Sequence, residues 1–513
     1  MVTLEEVSGS LLQKTDDTAT AHHVPSRVPS SYRSLDTFFL DQKRSYRQQY
    51  GDMYFLRLTK IRPAVDRAAA EAWDGTVIAG ESAKRVDRVL DVQAGEFCYV
   101  SGTVYMDMPL KPNILTDVSK DRWIAAPVAV DKYFSDEDQG QVMLEDESGR
   151  IRLAGDVLRT VSLVTGCIIA VLGTENADGE LEVIDVKFPD LAPQPERWSL
   201  TKAGATNGET SKGKGKGKVK NEDEDEDMAD GKPGGKKIAI VSGLSFSGTD
   251  TSNALELDLL SEFLLGEALG PGEQQESAQI SRLIIAGDSI AAAEKKLEAE
   301  EAALGKKATS KKYGYDAAAY NALPSQLLDG FLAGLLPSVP VTLLPGAYDP
   351  SNASFPQQPI HPAMFPAARV FAKEPSADAP GCFDAVTNPW EGEVEGWRVL
   401  GTGGQNVDDV FKYVDSNDRL GMMEAMCRWR CSAPTAPDTL WSYPFQDDDP
   451  FVMENAPHLY FVGNQPEFGT RVIHGPSDEA VRLIAVPSFS ETKEIVLVDT
   501  ETLEVSKMRI ATG

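Results

Sequence analysis

Few residues in this chain are of the kind that do chemistry, and their spacing restricts them further. Of five histidines, His22 and His23 fall in a polar tail, leaving His361 in a Pro-flanked loop, His458 before an apolar run and His474 behind one. Scattered imidazoles of this kind are expected to be satisfied or surface groups rather than metal ligands. Cys427 and Cys431 in CRWRC would supply half a zinc site, but no second Cys or His pair lies at zinc-finger spacing. Ser242, Ser245 and Ser247 in VSGLSFSG lack the Lys-Ser/Thr of a P-loop and the Gly-x-Ser-x-Gly of a nucleophile elbow, and fit a sharp strand-to-helix turn. Gly401, Gly403 and Gly404 precede VDDVFKY, whose carboxylates would repel phosphate, so a structural turn is expected there too. Asp288 is better placed. It closes the apolar run RLIIAGD, and ligands of open α/β sheets sit at the carboxyl ends of strands.

The frame for those strand ends begins at Ile238. KIAIVSG, RLIIAGD and VPVTLLPG read as parallel strands, separated by the helical stretches ALELDLLSEFLL and SQLLDGFLAGLL. HLYFVGNQPEFG, AVRLIAVPSF and KEIVLVDTETLEV read as further strands of a mixed second sheet, giving a two-layer or sandwich α/β body over 238–513. Ahead of it, FCYVSGTVYM, QVMLEDESGRIRL, VTGCIIAVLG and LEVIDVKF are short, turn-punctuated strands, which predicts an all-β barrel of the OB type over 91–198. Tyr50, Tyr54, Leu58 and Ile61 share a helix face that Pro63 should end, within a helical segment spanning 41–90. Residues 1–40 read as a disordered tail, and 199–237, with SKGKGKGKVK beside NEDEDEDMAD, as a disordered linker.

The 513 residues carry a formal charge of −29, so a surface able to neutralise phosphates is not expected, and direct DNA binding should be weak or absent. An OB barrel could still stack single-stranded bases on Tyr99, Tyr105, Tyr133 or Phe134. Scattered cysteines predict free thiols in a reducing compartment, and the lack of a long apolar run argues against a membrane segment.

Against this frame, the order of loops resembles the calcineurin-like phosphoesterases, whose strand ends carry Asp-x-His, Gly-Asp-x-x-Asp, Gly-Asn-His-Asp/Glu, a lone His and Gly-His-x-His around two metals. Here the matching loops read Ser242-Gly243-Leu244, Gly287-Asp288-Ser289-Ile290-Ala291, Gly346-Ala347-Tyr348-Asp349, Thr387-Asn388-Pro389 and Gly463-Asn464-Gln465-Pro466. The resemblance therefore implies a vestigial site at Ser242, Leu244, Asp288, Ala291, Ala347, Tyr348, Asn388, Asn464 and Pro466, with no metal, no cofactor and no catalytic residue. Tyr and Leu side chains are expected to fill the space of the lost ions. LLPGAYDPSNASFPQQPIHPAMFP, LGTGGQNVDDVFKY and SAPTAPDTLWSYPFQDDDPF resemble the B subunits of eukaryotic replicative DNA polymerases, and the delta-type small subunit among them. That family pairs an OB fold with an inactive phosphoesterase domain. It implies a nuclear, non-catalytic scaffold for replication and repair. One expected partner is the cysteine-rich C-terminal module of the polymerase delta catalytic subunit, and another is a third subunit, which would link the chain indirectly to the sliding clamp. The catalytic subunit of translesion polymerase zeta is a further candidate. The alternatives are an active metal-dependent phosphodiesterase, a single-stranded DNA-binding protein, or the equivalent subunit of polymerase alpha or epsilon.

Overall fold

The computed structural model describes residues 26–41, 43–45, 49–78, 80–112, 130–135, 138, 140–201, 235–267, 271–291, 321–372 and 381–510. Most of the expected linker, together with His22 and His23, lies outside the described residues.

The expected tail needs correction, because residues 26–40 are an ordered strap. Arg27 donates to the carbonyls of Ser277, Ile280 and Leu264 at 2.5–2.8 Å. Strand β1 (Tyr32–Ser34) pairs antiparallel with residues 392–394. Tyr32 lies under the Arg282 guanidinium, 3.5 Å from its ring centroid, and Phe38 is buried. Two buried aromatics within seven residues give this polar-looking segment enough apolar burial to offset the entropy of ordering it.

Helix α1 (Gly51–Trp73) runs through Pro63 instead of ending before it, and Tyr50 is half-exposed outside it. Pro63 removes one helical hydrogen bond, but Leu58, Ile61, Val65, Ala69 and Trp73 bury a continuous stripe against the barrel on both sides of the break. After a short hairpin (β2, Val77–Ile78; β3, Glu81–Ser82), the barrel comprises β4 (Lys84–Arg85), β5 (Phe97–Asp107), β6 (Gln141–Glu145), β7 (Arg150–Ala154), β8 (Ile168–Glu175) and β9 (Glu180–Lys187). Strand β5 pairs with both β6 and β8, which closes the sheet order β4-β5-β6-β7-β9-β8. Closure leaves few free strand edges.

The α/β body comprises β10 (Lys237–Val241), α2 (Ala254–Leu265), α3 (Pro271–Ala278), β11 (Ile280–Ala286), α4 (Leu323–Leu335), β12 (Val341–Leu344), β13 (Phe383–Ala385), β14 (Trp390–Val394), β15 (Trp397–Thr402), α5 (Gln405–Tyr413), α6 (Arg419–Arg428), β16 (Leu459–Gln465), β17 (Gly469–His474), β18 (Ala480–Pro487), α7 (Phe489–Thr492), β19 (Glu494–Asp499) and β20 (Val505–Arg509). One sheet runs β13-β12-β11-β10-β19-β20, with β10 to β13 parallel, and the other runs β1-β14-β15-β16-β18-β17. The second sheet is mixed, as expected. KEIVLVDTETLEV, however, returns as β19 and β20 to the first sheet, where β19 lies antiparallel to β10. Apolar alternation sorts the layers: Ala239 and Val241 face α2 and α4, whereas Ile238 and Ile240 face Leu459, Phe461 and Ile484 of the other sheet. Tyr460 and Val462 point from that sheet into a core shared with α5, α6 and the barrel interior.

Barrel and body are thus joined through one continuous core. Arg57 of α1 is fully buried and its Nε lies 2.8 Å from Asp449, while its Nη1 donates to the Pro434 carbonyl at 2.6 Å. Gly166, at φ +93°, lets the barrel approach so closely that a Cβ there would stand 2.1 Å from that same carbonyl. Tyr133 is buried edge-on against Tyr413 and donates to Asp409, and the Arg430 guanidinium donates to the carbonyls of Pro189, Asp190 and Leu191.

Candidate functional site

The ends of β10, β11 and β12 meet those of β15 and β16 at one rim of the body, where chemistry on this fold would take place. Glycines permit the meeting. A Cβ at Gly346 would lie 2.1 Å from the Asp288 amide nitrogen, and one at Gly463 would lie 2.1 Å from the Ala286 carbonyl. Asp288 and Asn464 hold left-handed backbones, with φ +50° and +55°, a conformation that Asn and Asp accept more readily than other side chains.

The carboxylates at the ends of β11 and β12 are committed to the loops themselves. Asp349 is buried and accepts from the backbone amides of Ser289 (3.2 Å), Ile290 (2.9 Å) and Gly346 (2.8 Å). The Asp288 carboxylate accepts from the Tyr348 amide at 3.0 Å. Burial, and secondarily the charge of Asp288, push the Asp349 carboxyl up to about 7 against the pull of its amide donors. Burial raises Asp288 as well.

Amide side chains occupy the space between the strand ends. Asn388 donates to Gln357 Oε1 at 2.8 Å and Gln405 Oε1 at 2.9 Å and accepts from the Gly403 amide at 2.9 Å. Gln357 in turn donates to the Gly346 carbonyl at 2.9 Å. Asn464 donates to the Gly403 carbonyl at 2.8 Å, and its own amide donates to the Ser242 hydroxyl, which reaches on to the Val486 and Pro487 carbonyls. A net of this kind fixes loop positions but offers neither a strong base nor a nucleophile.

The structure therefore brings Ser242, Asp288, Asn388 and Asn464 together, along with Ala291, whose amide bonds to Phe246 beside the first loop. The expected filling by Tyr and Leu is corrected. Tyr348 is 46% exposed, and Leu244 packs on the far side of the sheet against the α2 and α4 layer. Ala347 and Pro466 are exposed on the rim. Gln357 and Gln405, the centre of the net, were not singled out as site residues, although they lie within FPQQP and GTGGQN. Their amides acquire a role only once distant strand ends are adjacent. His361 caps a turn by accepting from the Ala363 amide, His458 accepts from the Arg398 amide with its pKa lowered by burial, and His474 lies exposed on β17. All five cysteines are free. Among the described residues, no three His, Cys, Asp or Glu side chains are grouped so as to hold a metal ion. Of the aromatics considered for stacking bases, Tyr99 and Tyr133 are buried, with their hydroxyls on Asp74 and Asp409.

A closed OB barrel is fused through a common core to a two-sheet α/β body, and matches to known sequences cover both parts. Residues 238–470 match the family model of the DNA polymerase alpha/epsilon B subunit, and residues 49–186 match that of the DNA polymerase delta subunit OB-fold domain. The chain is 33% identical to the DNA polymerase delta small subunit of Saccharomyces cerevisiae over 91% of each sequence. It is 34% identical to that of Arabidopsis thaliana, over 95% of this chain and 97% of the relative. The chain belongs to the DNA polymerase delta small-subunit family.

Proposed function

We propose that this chain is a non-catalytic scaffold that joins the cysteine-rich C-terminal module of the polymerase delta catalytic subunit to a third, clamp-binding subunit in the nucleus. Its α/β body, from about residue 238 onward, is read as a calcineurin-like phosphoesterase fold without activity. The observation carrying this reading is the engagement of Asp288 and Asp349 by backbone amides, with an Asn–Gln net where imidazoles would be needed. Cations there would compete with the loop amides for the same carboxylate oxygens. The common core of barrel and body supports the scaffold role, because a rigid surface loses little entropy on binding.

Co-purification of the full chain with the C-terminal segments of the catalytic subunits of polymerases delta, alpha, epsilon and zeta tests the partner. Retention of the delta segment with rejection of alpha and epsilon is expected, and indifference to all four would overturn the proposal. Manganese-dependent turnover of a generic phosphodiester, lost in Asp288→Ala, would overturn the inactivity.

A further inference from the structure

Residues 202–234 connect barrel to body in sequence, yet the residues on either side of them lie next to one another on the body. On the way out, the Arg197 guanidinium donates to the Glu395 carbonyl at 3.1 Å and to the Thr500 carbonyl at 3.2 Å, and the Thr201 hydroxyl donates to the Glu393 carboxylate. On the return, a Cβ at Gly235 would stand 2.6 Å from the Asp499 carboxylate. Lys236 Nζ then lies 3.1 Å from the Glu395 carboxylate, and the Lys236 carbonyl accepts from the Thr500 amide at 2.9 Å. Departure and return are therefore seated on the same two residues, Glu395 after β14 and Thr500 after β19. We propose that this connection carries none of the load between barrel and body. The chain consists of two interlocked pieces that persist as one unit when 202–234 is cut or shortened.

The barrel is already fixed before the chain reaches residue 202. The Pro193 carbonyl accepts from the Ala456 amide at 3.0 Å. The Gln194 side chain donates to the carbonyls of Pro457 at 3.0 Å and Ala480 at 2.7 Å, and accepts from the Ala480 amide at 3.1 Å. Arg197 stacks on the Trp397 ring, 4.4 Å from its centroid. The Trp198 amide donates to the Gly396 carbonyl at 2.9 Å, and its ring packs so closely that a Cβ on Gly396 would stand 2.4 Å away. Ahead of the barrel in sequence, β1 extends the second sheet and Arg57 pairs with Asp449. The piece ending at Thr201 thus grips the body on both sides of its barrel, and the barrel interior shares a core with α5 and α6.

Contacts that resemble a domain core cut in half belong to permanent complexes. A tether adds to such a contact only an effective concentration, about millimolar for a flexible connection. Losing it should leave the contact intact at micromolar protein. The length and charge of SKGKGKGKVK and NEDEDEDMAD are thereby free of any role in placing barrel against body.

The test uses the full chain with a site-specific protease sequence inserted after Lys220. After cutting, both pieces are expected to co-elute from a sizing column at the volume of the uncut chain at about 1 μM. The urea midpoint of the cut chain should rise when its concentration is raised tenfold, while that of the uncut chain stays fixed. A second chain, with roughly eight Gly and Ser residues in place of 202–234, enough to reach about 15 Å as a flexible coil, should keep the midpoint of the unaltered chain to within about 0.2 M. Separation of the pieces at about 1 μM, a cut chain whose midpoint ignores concentration, or a shortened chain that is unfolded or shifted by more than about 0.2 M would overturn the proposal. No polymerase subunit enters the test, so its outcome is independent of the scaffold reading.

Discussion

Replacing Arg57 by Met should destabilise the chain far more than losing one surface charge would. The guanidinium and the Asp449 carboxylate are both fully buried, 2.8 Å apart, at the seam between α1 and the α/β body. Burial disfavours the charged guanidinium, but the carboxylate more than restores it and holds its pKa above the usual value. Truncation strands Asp449 as an unpaired buried charge and removes the donor from the Pro434 carbonyl. Breaking one partner of such a pair costs about 3–5 kcal/mol. Converting Asp449 to Asn in the same chain removes the stranded charge and keeps an acceptor for the Phe451 amide, now bound at 3.0 Å. The double variant should therefore recover at least about 2 kcal/mol of the loss. Urea unfolding followed by tryptophan fluorescence, comparing the wild-type chain, Arg57→Met, Asp449→Asn and the double variant, measures each term. A single-variant loss below about 1 kcal/mol, or a double variant no better than Arg57→Met, would show that the pair does not hold the seam.

Three further outcomes are expected. The Asp349 carboxyl takes up its proton more readily folded than unfolded, so its contribution is fully present below about pH 4 and is lost as pH climbs through about 7. The rise from 3.8 to about 7 corresponds to roughly 4 kcal/mol. Asp349→Asn should flatten the dependence of unfolding free energy on pH across that window, whatever its absolute stability, and an unchanged slope would count against the burial argument. Gly346→Ala places a methyl against the Asp288 backbone, which should cost about 3 kcal/mol and lower the thermal midpoint, whereas Gly334→Ala, where a Cβ meets nothing within 4 Å, should be neutral or stabilising. The full chain should bind a fluorescent single-stranded oligonucleotide no more tightly than about 100 μM at physiological salt, and micromolar binding would count against the expectation drawn from its acidic charge.

Periodicity within short stretches determined much of this protein. The short continuous apolar runs in KIAIVSG and RLIIAGD named the buried strands of the parallel sheet, and the turn-punctuated segments between Phe97 and Phe188 named the barrel, because strand and helix patterns are local properties of the chain. Asp288 was also legible, since it follows directly from where its apolar run stops, whereas Asn388 and Asn464 were reached through the resemblance of the loop order to the phosphoesterases. Other outcomes needed the assembled fold. Pro63 ends helices by local steric rules, yet α1 continues because Val65, Ala69 and Trp73 find the barrel on the far side of the break. The strap around Tyr32 and Phe38 looks like a tail until a sheet edge and a core more than 300 residues away receive it. The pairing of Arg57 with Asp449, the return of β19 to β10, and the meeting of Gln357 with Asn388 and Gln405 join distant segments. Such contacts depend on which surfaces close packing brings face to face, and that is settled by the summed burial of the whole molecule rather than by any window of its sequence.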